Sequence, residues 1–298
     1  MKKIKRTSMN IIFQIDGGLG KSILATAVCE AIKKQYPESQ LYVVTAYPDV
    51  FLCNPNVTKA YMHGNTHYFY KDVIEGQKIK AFIHNPYFET SFIKQEKHLL
   101  ETWCEMFGLR YDNEQPNIYL TEREISFYSN QFSFQKPLMV IQTNGGAENQ
   151  ANKYSWARDI PTYLAQQVVN EFSETYDIAH IRRKAQLALS NTTPIETSFR
   201  ALATLISLSK KRLFMDSFAQ HTATALGLDS VVCWVANSPN QFGYKSNTNI
   251  IANPETKAPE LKYAQFLKYN IAGELIEFPY NHESEIFNLE NIIEALKK

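Results

Sequence analysis

Short apolar runs alternate with amphipathic stretches along the whole chain. The apolar runs predict buried strands, and the stretches between them carry apolar residues at the spacing of a helix face. The predicted strands are residues 9–15, 41–46, 80–84, 138–142, 177–181, 211–215 and 230–235, and the predicted helices are residues 21–36, 91–107, 121–133, 156–172, 198–209, 217–227 and 284–297. This alternation favours parallel sheets covered by helices on both faces, which is the α/β class.

The pattern divides into two halves. A polar and aromatic stretch at residues 110–136 separates them, and Lys136-Pro137 marks the predicted boundary. Residues 1–136 are predicted to form an N-terminal Rossmann-like domain and residues 137–298 a C-terminal one. The terminal helix has no evident place in either half and could pack back on the N-terminal domain. Two such domains facing each other would bind ligands in the cleft between them, at the carboxyl ends of their strands.

Composition and charge narrow the function classes. Among 298 residues, 31 Lys and Arg stand against 30 Asp and Glu, so the net charge of +1 gives no overall attraction to nucleic acid. The cysteines are widely spaced without a Cys-x-x-Cys pair, which argues against a zinc knuckle or a disulfide framework and favours a reducing compartment. No run approaches the ~20 apolar residues that span a bilayer, so we expect a cytoplasmic protein without a transmembrane segment.

The most conspicuous motif is the glycine loop Asp16-Gly17-Gly18-Leu19-Gly20-Lys21-Ser22, between a predicted strand and a predicted helix. Its glycines allow a tight turn and close approach to a ligand, and the helix N-terminus offers free N–H groups to an anion. A tight turn without any ligand is the simpler alternative.

The same loop resembles that of the ParA-like P-loop ATPases, and Leu213-Phe214-Met215-Asp216 resembles a Walker B strand. However, a Walker A loop needs glycine where this chain has Ile15. The ParA-like variant has lysine where this chain has Asp16, whose carboxylate would repel phosphate oxygens. The motif therefore fits a P-loop ATPase poorly.

Longer stretches resemble glycosyltransferase family 9, the heptosyltransferase-like enzymes. In the first half the matching segments are Gly17-Gly-Leu-Gly20, Ala25-Thr-Ala27, Ala31-Ile-Lys-Lys-Gln-Tyr-Pro37 and Asn54-Pro-Asn-Val57. In the second half they are Asp216-Ser217-x-x-x-His221 with Ala223, Ala225 and Leu226-Gly227, followed by Ser238-Pro239-x-x-Phe242-Gly243. The resemblance implies a GT-B fold, with the sugar-nucleotide donor in the C-terminal domain and the acceptor mainly in the N-terminal one.

The resemblance implies an inverting glycosyltransferase acting on a lipopolysaccharide-type or other cell-surface glycan. A second acceptor hypothesis is a hydroxymethylated DNA base, because some phage DNA glucosyltransferases share the GT-B architecture. The reaction requires that the acceptor hydroxyl lose a proton and that the leaving diphosphate be stabilised. Because the sequence contains no Asp-x-Asp, we predict a metal-independent enzyme with no cofactor besides the nucleotide-diphosphate sugar.

This chain departs from the family pattern at two positions. The family usually has Asp, its proposed general base, where this chain has Lys21, and Phe218 replaces the glycine after Asp-Ser. Asp16 is therefore the predicted base, with Asp49 in reserve at the end of the second strand. Lys21 is predicted to hold a phosphate or an anionic acceptor.

The remaining site predictions concern the two substrates. The predicted donor-binding residues are Gly18, Asn144, Gly145, Lys153, His180, Asp216, Ser217 and His221. Lys153 is similar to the family lysine that meets the diphosphate. Ser217 and His221 begin a helix whose N–H groups and imidazole would face phosphate oxygens, and Asp216 would accept from donor-sugar hydroxyls. His84, at another strand end, is predicted to face the acceptor.

Overall fold

The protein contains two parallel β-sheets covered by helices. A computed structural model describes residues 9–145, 158–253 and 280–298. The first sheet consists of β1 (Asn10–Ile15), β2 (Gln40–Thr45), β3 (Lys59–Met62) and β4 (Ile79–Phe82), in the order β3-β2-β1-β4. The second consists of β5 (Leu138–Gln142), β6 (Asp177–Ile181), β7 (Thr193–Ile195), β8 (Lys211–Met215), β9 (Val231–Trp234) and β10 (Thr248–Ile251), in the order β10-β9-β8-β5-β6-β7. The predicted α/β class with two parallel sheets is confirmed.

Most of the helices lie between strands in the chain, and the last one follows β10. They are α1 (Leu19–Gln35), α2 (Thr90–Ile93), α3 (Leu99–Met106), α4 (Glu122–Ser129), α5 (Thr162–Phe172), α6 (Phe199–Leu208), α7 (Phe218–Ala225), α8 (Pro239–Phe242) and α9 (Leu289–Lys297). None of the helices in the described ranges is long and apolar enough to cross a membrane. We call residues up to 136 the N-terminal half and the rest the C-terminal half.

Most predicted elements are present, with informative exceptions. The predicted helix 91–107 is wrong as one element, because it divides into α2 and α3 where Gln95 adopts a left-handed φ of 56°. His98 then caps α3 by accepting a hydrogen bond from the Leu100 amide. Among the described residues, the missed strands β3, β7 and β10 lie at the edges of their sheets, where the apolar pattern is weaker.

The terminal helix α9 packs on the C-terminal half. It contacts α5 and the strands β8, β9 and β10, and its Ile292 and Leu296 are buried in the same apolar core as Met139 and Leu213. The option that it packs on the N-terminal half is therefore wrong. The apolar face of α9 is buried against the second sheet, which lies closest to it.

A single hydrophobic core joins the two halves. It contains Ile23 and Trp103 from the N-terminal half together with Trp234 and Phe242 from the C-terminal half. Helix α1 lies against α7 at this junction. The carboxyl ends of strands from both sheets are thereby brought to the same region, which is where the site is built.

Candidate functional site

The glycine loop forms a tight turn at the carboxyl end of β1. Gly17 has a φ of 111°, a left-handed conformation that residues with a Cβ rarely adopt. Gly18 occupies the N-cap of α1 without a side-chain capping hydrogen bond, and the first turn contains no acidic residue. The N-terminus of this helix is therefore a positive electrostatic end that no side chain of its own first turn neutralises.

This turn meets the Asp216–His221 turn of the C-terminal half. A Cβ placed on Gly20 would lie 3.1 Å from His221 Cδ2 and 3.6 Å from Phe218 Cα. Glycine at this position lets α1 and α7 approach closely. The two motifs singled out in the sequence therefore occupy one region.

Lys21 does not project into solvent. The residue is only 5% exposed, and Nζ donates a hydrogen bond of 2.8 Å to Asn85 Oδ1. Nζ also lies 4.5 Å from the centre of the Tyr87 ring and 5.3 Å from that of Trp103. Burial lowers the pKa of this ammonium to about 8, against the opposing attraction of Asp16. Among the described residues, Lys21 forms no salt bridge.

Asp16 directly follows β1, at the carboxyl end of an interior strand of the first sheet. Its side chain is about half exposed, Gln14 Nε2 donates to Oδ1 over 3.1 Å, and His63 Nε2 lies 3.8 Å from the same oxygen. Asp49, in the 3-10 turn Pro48–Phe51, and His84 are also exposed. All three follow strands of the first sheet.

Asp216 ends β8 and is almost completely buried. Asn237, which follows β9, donates a hydrogen bond to Asp216 Oδ2. Burial raises the pKa of Asp216, while the Asn237 hydrogen bond and the Arg158 guanidinium lower it. The Asp216 carboxylate is thus held by a hydrogen bond from Asn237 and lies near the Arg158 cation.

Asn144 and Gly145 form the turn that follows β5, and Asp159 anchors it. The Gly145 amide donates to Asp159 Oδ1 over 2.9 Å, and Asn144 Nδ2 donates to Oδ2 over 3.0 Å. A Cβ on Gly145 would lie 3.1 Å from Arg158 Nε, so glycine lets the guanidinium pack over the turn. Lys153 lies outside the described residues.

Two predicted histidines are interior groups. His221 is 4% exposed, and its Nδ1 lies 2.7 Å from the Tyr244 hydroxyl. Burial, with a smaller effect of His98, lowers its pKa to about 3. His180 is completely buried, its Nε2 lies 2.9 Å from Thr143 Oγ1, and burial lowers its pKa to about 4. Both rings are therefore neutral near pH 7. Ser217, in contrast, is half-buried at the N-cap of α7 and makes no capping hydrogen bond.

The sequence analysis missed several residues of the site. They are His63, Asn85, Tyr87, Arg158 and Asn237. His63, Asn85 and Asn237 follow the strands β3, β4 and β9 closely, so their position at strand ends was the available signal. Nothing in the local pattern distinguishes Tyr87 or Arg158.

Charge is distributed unequally between the two sides. Arg182, Arg183 and Lys184 follow β6 on the C-terminal side, and Gln186 Nε2 links this segment to the Gly145 carbonyl over 3.5 Å. Together with Arg158, they make the side of the site formed by the C-terminal half positively charged. The side formed by the N-terminal half carries Asp16 instead. In the described parts of the chain, no three His, Cys, Asp or Glu side chains come together to hold a metal ion.

Comparison with known proteins gives structural matches only. No protein-family model matches the chain, and no curated protein matches it in sequence. A glycosyltransferase family 9 structure from Veillonella parvula is similar with a TM-score of 0.69 and 14% identity, covering 97% of this chain and 96% of that one. ADP-heptose LPS heptosyltransferase II from E. coli gives a TM-score of 0.64 and 14% identity over 97% and 98% of the two chains. The E. coli heptosyltransferase WaaC with ADP gives 0.52 and 8% over 82% and 91%. This chain therefore has the GT-B fold of the heptosyltransferase-like glycosyltransferases.

Proposed function

We propose that this protein is a glycosyltransferase that moves a sugar from a nucleoside diphosphate to a hydroxyl acceptor. The observation that carries the proposal is the contact of Gly20 with His221. It joins the turn that bears Asp16 to the turn that bears Asp216. An acceptor-side carboxylate and a donor-side carboxylate are thereby presented at one junction.

The donor is proposed to bind on the C-terminal side. Arg158 and the cations after β6 would balance the charge that develops on the leaving diphosphate, and the start of α7 would add its N–H groups. Asp216, fixed by Asn237, would accept hydrogen bonds from sugar hydroxyls. The reaction in this form uses fixed protein cations, so we propose that it requires no metal.

The acceptor is proposed to bind on the N-terminal side, where Asp16 takes the proton. The acceptor oxygen forms a bond to the anomeric carbon as the bond from that carbon to the diphosphate oxygen breaks. The diphosphate leaves with the electron pair, and the hydroxyl proton goes to Asp16. Attack opposite to the leaving group inverts the anomeric centre.

A cell-surface glycan is the proposed acceptor class. One of the similar structures bears the name of a lipopolysaccharide heptosyltransferase. The acceptor edge offers Asp16, Asp49 and the exposed ring of Phe88, which suits a sugar better than a DNA backbone. All four cysteines are free thiols, which fits a reducing compartment, so we place the reaction in the cytoplasm.

The P-loop alternative conflicts with the side chains of the glycine loop. In a P-loop, the lysine and the following Ser or Thr face phosphates and Mg²⁺. Here Lys21 binds Asn85, and Ser22 Oγ lies 3.0 Å from Thr45 Oγ1 in the protein interior. Both residues are buried.

A ligand panel tests the proposed function. We expect a nucleoside diphosphate or a nucleotide sugar to raise the melting temperature, with and without a chelator, and to bind in calorimetry. Asp216→Asn should weaken binding of the nucleotide sugar more than that of the nucleoside diphosphate, because the sugar hydroxyls lose their acceptor. Stabilisation by ATP with magnesium alone would contradict the proposal.

Asp16→Asn tests the base. It should lower kcat by at least about 100-fold and leave the affinity for the donor nucleotide unchanged, because only the proton acceptor is lost. Steady-state kinetics and calorimetry separate the two effects. His63→Asn is the matched variant, since its imidazole lies 3.8 Å from Asp16 Oδ1. A larger loss in His63→Asn than in Asp16→Asn would make the imidazole the base instead.

A further inference from the structure

The Tyr87 ring packs against aromatic residues of both halves. It lies in the 3-10 turn Pro86–Phe88 after β4, and its ring stacks on Phe92 with centroids 4.7 Å apart. The ring also meets Phe242 of the C-terminal half edge-on, at 6.5 Å. Gln241, beside Phe242, donates a hydrogen bond of 2.8 Å to the Phe92 carbonyl. The position of this ring is thus fixed from both halves.

Lys21 and Asn85 set the backbone of this turn. Asn85 Oδ1 accepts one hydrogen bond from the Tyr87 amide, over 3.1 Å, and another from Lys21 Nζ, over 2.8 Å. The same Nζ lies 4.5 Å from the centre of the Tyr87 ring. The ammonium therefore holds both the loop and the aromatic face.

The Tyr87 hydroxyl is the one polar atom of the ring. Tyr87 bonds to Asn85 through its amide, and among the described residues no hydrogen bond involves its hydroxyl. Burial and the Asp216 carboxylate raise the pKa of Tyr87, and Arg158 opposes them. The phenol consequently stays protonated and keeps a hydrogen to donate. Asp216 and Arg158, the charged groups that act on this hydroxyl, both belong to the C-terminal half, and we assign both to the donor site.

We propose that Tyr87 contacts the donor from the N-terminal half, with its hydroxyl donating a hydrogen bond to the sugar or diphosphate, and that Lys21 positions Tyr87. This inference rests on the proposed function and deepens it, because donor recognition then requires both halves. No proton is transferred in this contact. Tyr87 stabilises the charge of the leaving diphosphate, or fixes the sugar, by hydrogen bonding alone.

The assignment of Lys21 as a positioning residue follows from its enclosure. Asn85, Tyr87 and Trp103 surround Nζ, and the residue is only 5% exposed. A substrate phosphate would have to displace the Asn85–Tyr87 turn to reach it. Lys21 therefore acts through Tyr87.

Tyr87→Phe tests the contact, since it removes the hydroxyl and keeps the ring with its stacking partners. We expect kcat/KM for the nucleotide sugar to fall about 10- to 100-fold, with the KM of the acceptor and the melting temperature unchanged. Tyr176→Phe is the control, because Tyr176 lies at the amino end of β6, at the opposite edge of the sheet. Wild-type kinetics in Tyr87→Phe would overturn the inference while leaving the proposed function intact. A wild-type protein that turns over no nucleotide sugar would overturn both.

A double-mutant cycle tests the positioning role. If Lys21 acts through Tyr87, Lys21→Met combined with Tyr87→Phe is about as slow as Tyr87→Phe alone. Losses that multiply would show that Lys21 contacts substrate directly and would overturn the positioning role. Asn85→Ala provides a second route to the same answer if Lys21→Met folds poorly, because it removes the oxygen that joins Lys21 to the Tyr87 turn. The loss of activity that Asn85→Ala causes should likewise disappear in the Tyr87→Phe background.

Discussion

At the scale of single residues, the junction of the two halves depends on glycines, because a side chain at these positions would not fit. Gly17 permits the left-handed turn, and Gly20 permits the contact between α1 and α7. The neighbour of Gly20 is the His221 ring, which is buried and is held by the Tyr244 hydroxyl. Shape at these positions matters more than helix propensity.

Gly20→Ala is expected to destabilise the protein by about 1–2 kcal/mol. Crowding against His221 Cδ2 at 3.1 Å outweighs the gain of about 1 kcal/mol that alanine gives a helix. Urea denaturation measures the free energy of unfolding. In a His221→Ala background, the same substitution should be neutral or stabilising, because the ring is gone. An equal cost in both backgrounds would show that the contact is not the cause.

At the scale of elements, Arg200 ties α6 to the polar segment at the end of the N-terminal half. Its guanidinium binds both carboxylate oxygens of Glu124 on α4 at 2.8 Å, and Nη2 donates to the Tyr119 carbonyl at 2.6 Å. Nη1 reaches the Asp49 carbonyl in the N-terminal half at 3.5 Å. One buried cation therefore organises three chain segments next to the site.

Glu124→Gln should lower the free energy of unfolding by about 2–4 kcal/mol at pH 7, because the buried Arg200 guanidinium loses its charged partner. The hydrogen bond from Arg200 lowers the pKa of Glu124 to about 2. Because this folded-state pKa is depressed, the contribution is present above pH ~4.5 and fades as the pH falls toward 2. The difference between variant and wild type should therefore shrink on acidification. Glu122→Gln, on the same helix turn but without an arginine partner, should cost less than about 0.5 kcal/mol.

At the scale of the whole molecule, neutral histidines lie in the interior. His98 and His221 lie where the two halves meet, and His180 lies in β6 of the C-terminal half. Burial lowers the pKa of His98 and His180 to about 4 and that of His221 to about 3. His98 and His221 both lie beside Tyr244, with ring centroids 5.9 and 5.7 Å from it. These groups make the junction of the halves sensitive to acid.

The free energy of unfolding should fall as the pH drops from about 6.5 toward 4. The unfolded chain takes up protons near pH 6.5, whereas the folded histidines stay neutral, so each contributes a loss of about 1.4 kcal/mol per pH unit. Urea titrations at several pH values measure the slope. His221→Gln should reduce it, and the exposed His67→Gln should leave it unchanged. A free energy that stays constant between pH 7 and 5 would contradict this account.

The sequence determined the local elements and the order of the strands along the chain, because apolar periodicity and glycine turns are properties of short segments. The pattern places Asn144-Gly145, Asp16 and Asp216 after strands, and the structure confirms these positions. Edge strands, the interruption at Gln95 and the place of α9 were not, since they depend on what packs against them.

Only the tertiary structure decided how the two halves combine. Lys21 reads in the sequence as a lysine at an open loop, yet it is enclosed by Asn85 and two aromatic rings from more than 60 residues away. The same holds for Tyr87, which gains its neighbours Asp216 and Arg158 from the other half. Side-chain burial and electrostatic partners are set by contacts distant in the chain, and a local pattern carries no record of them.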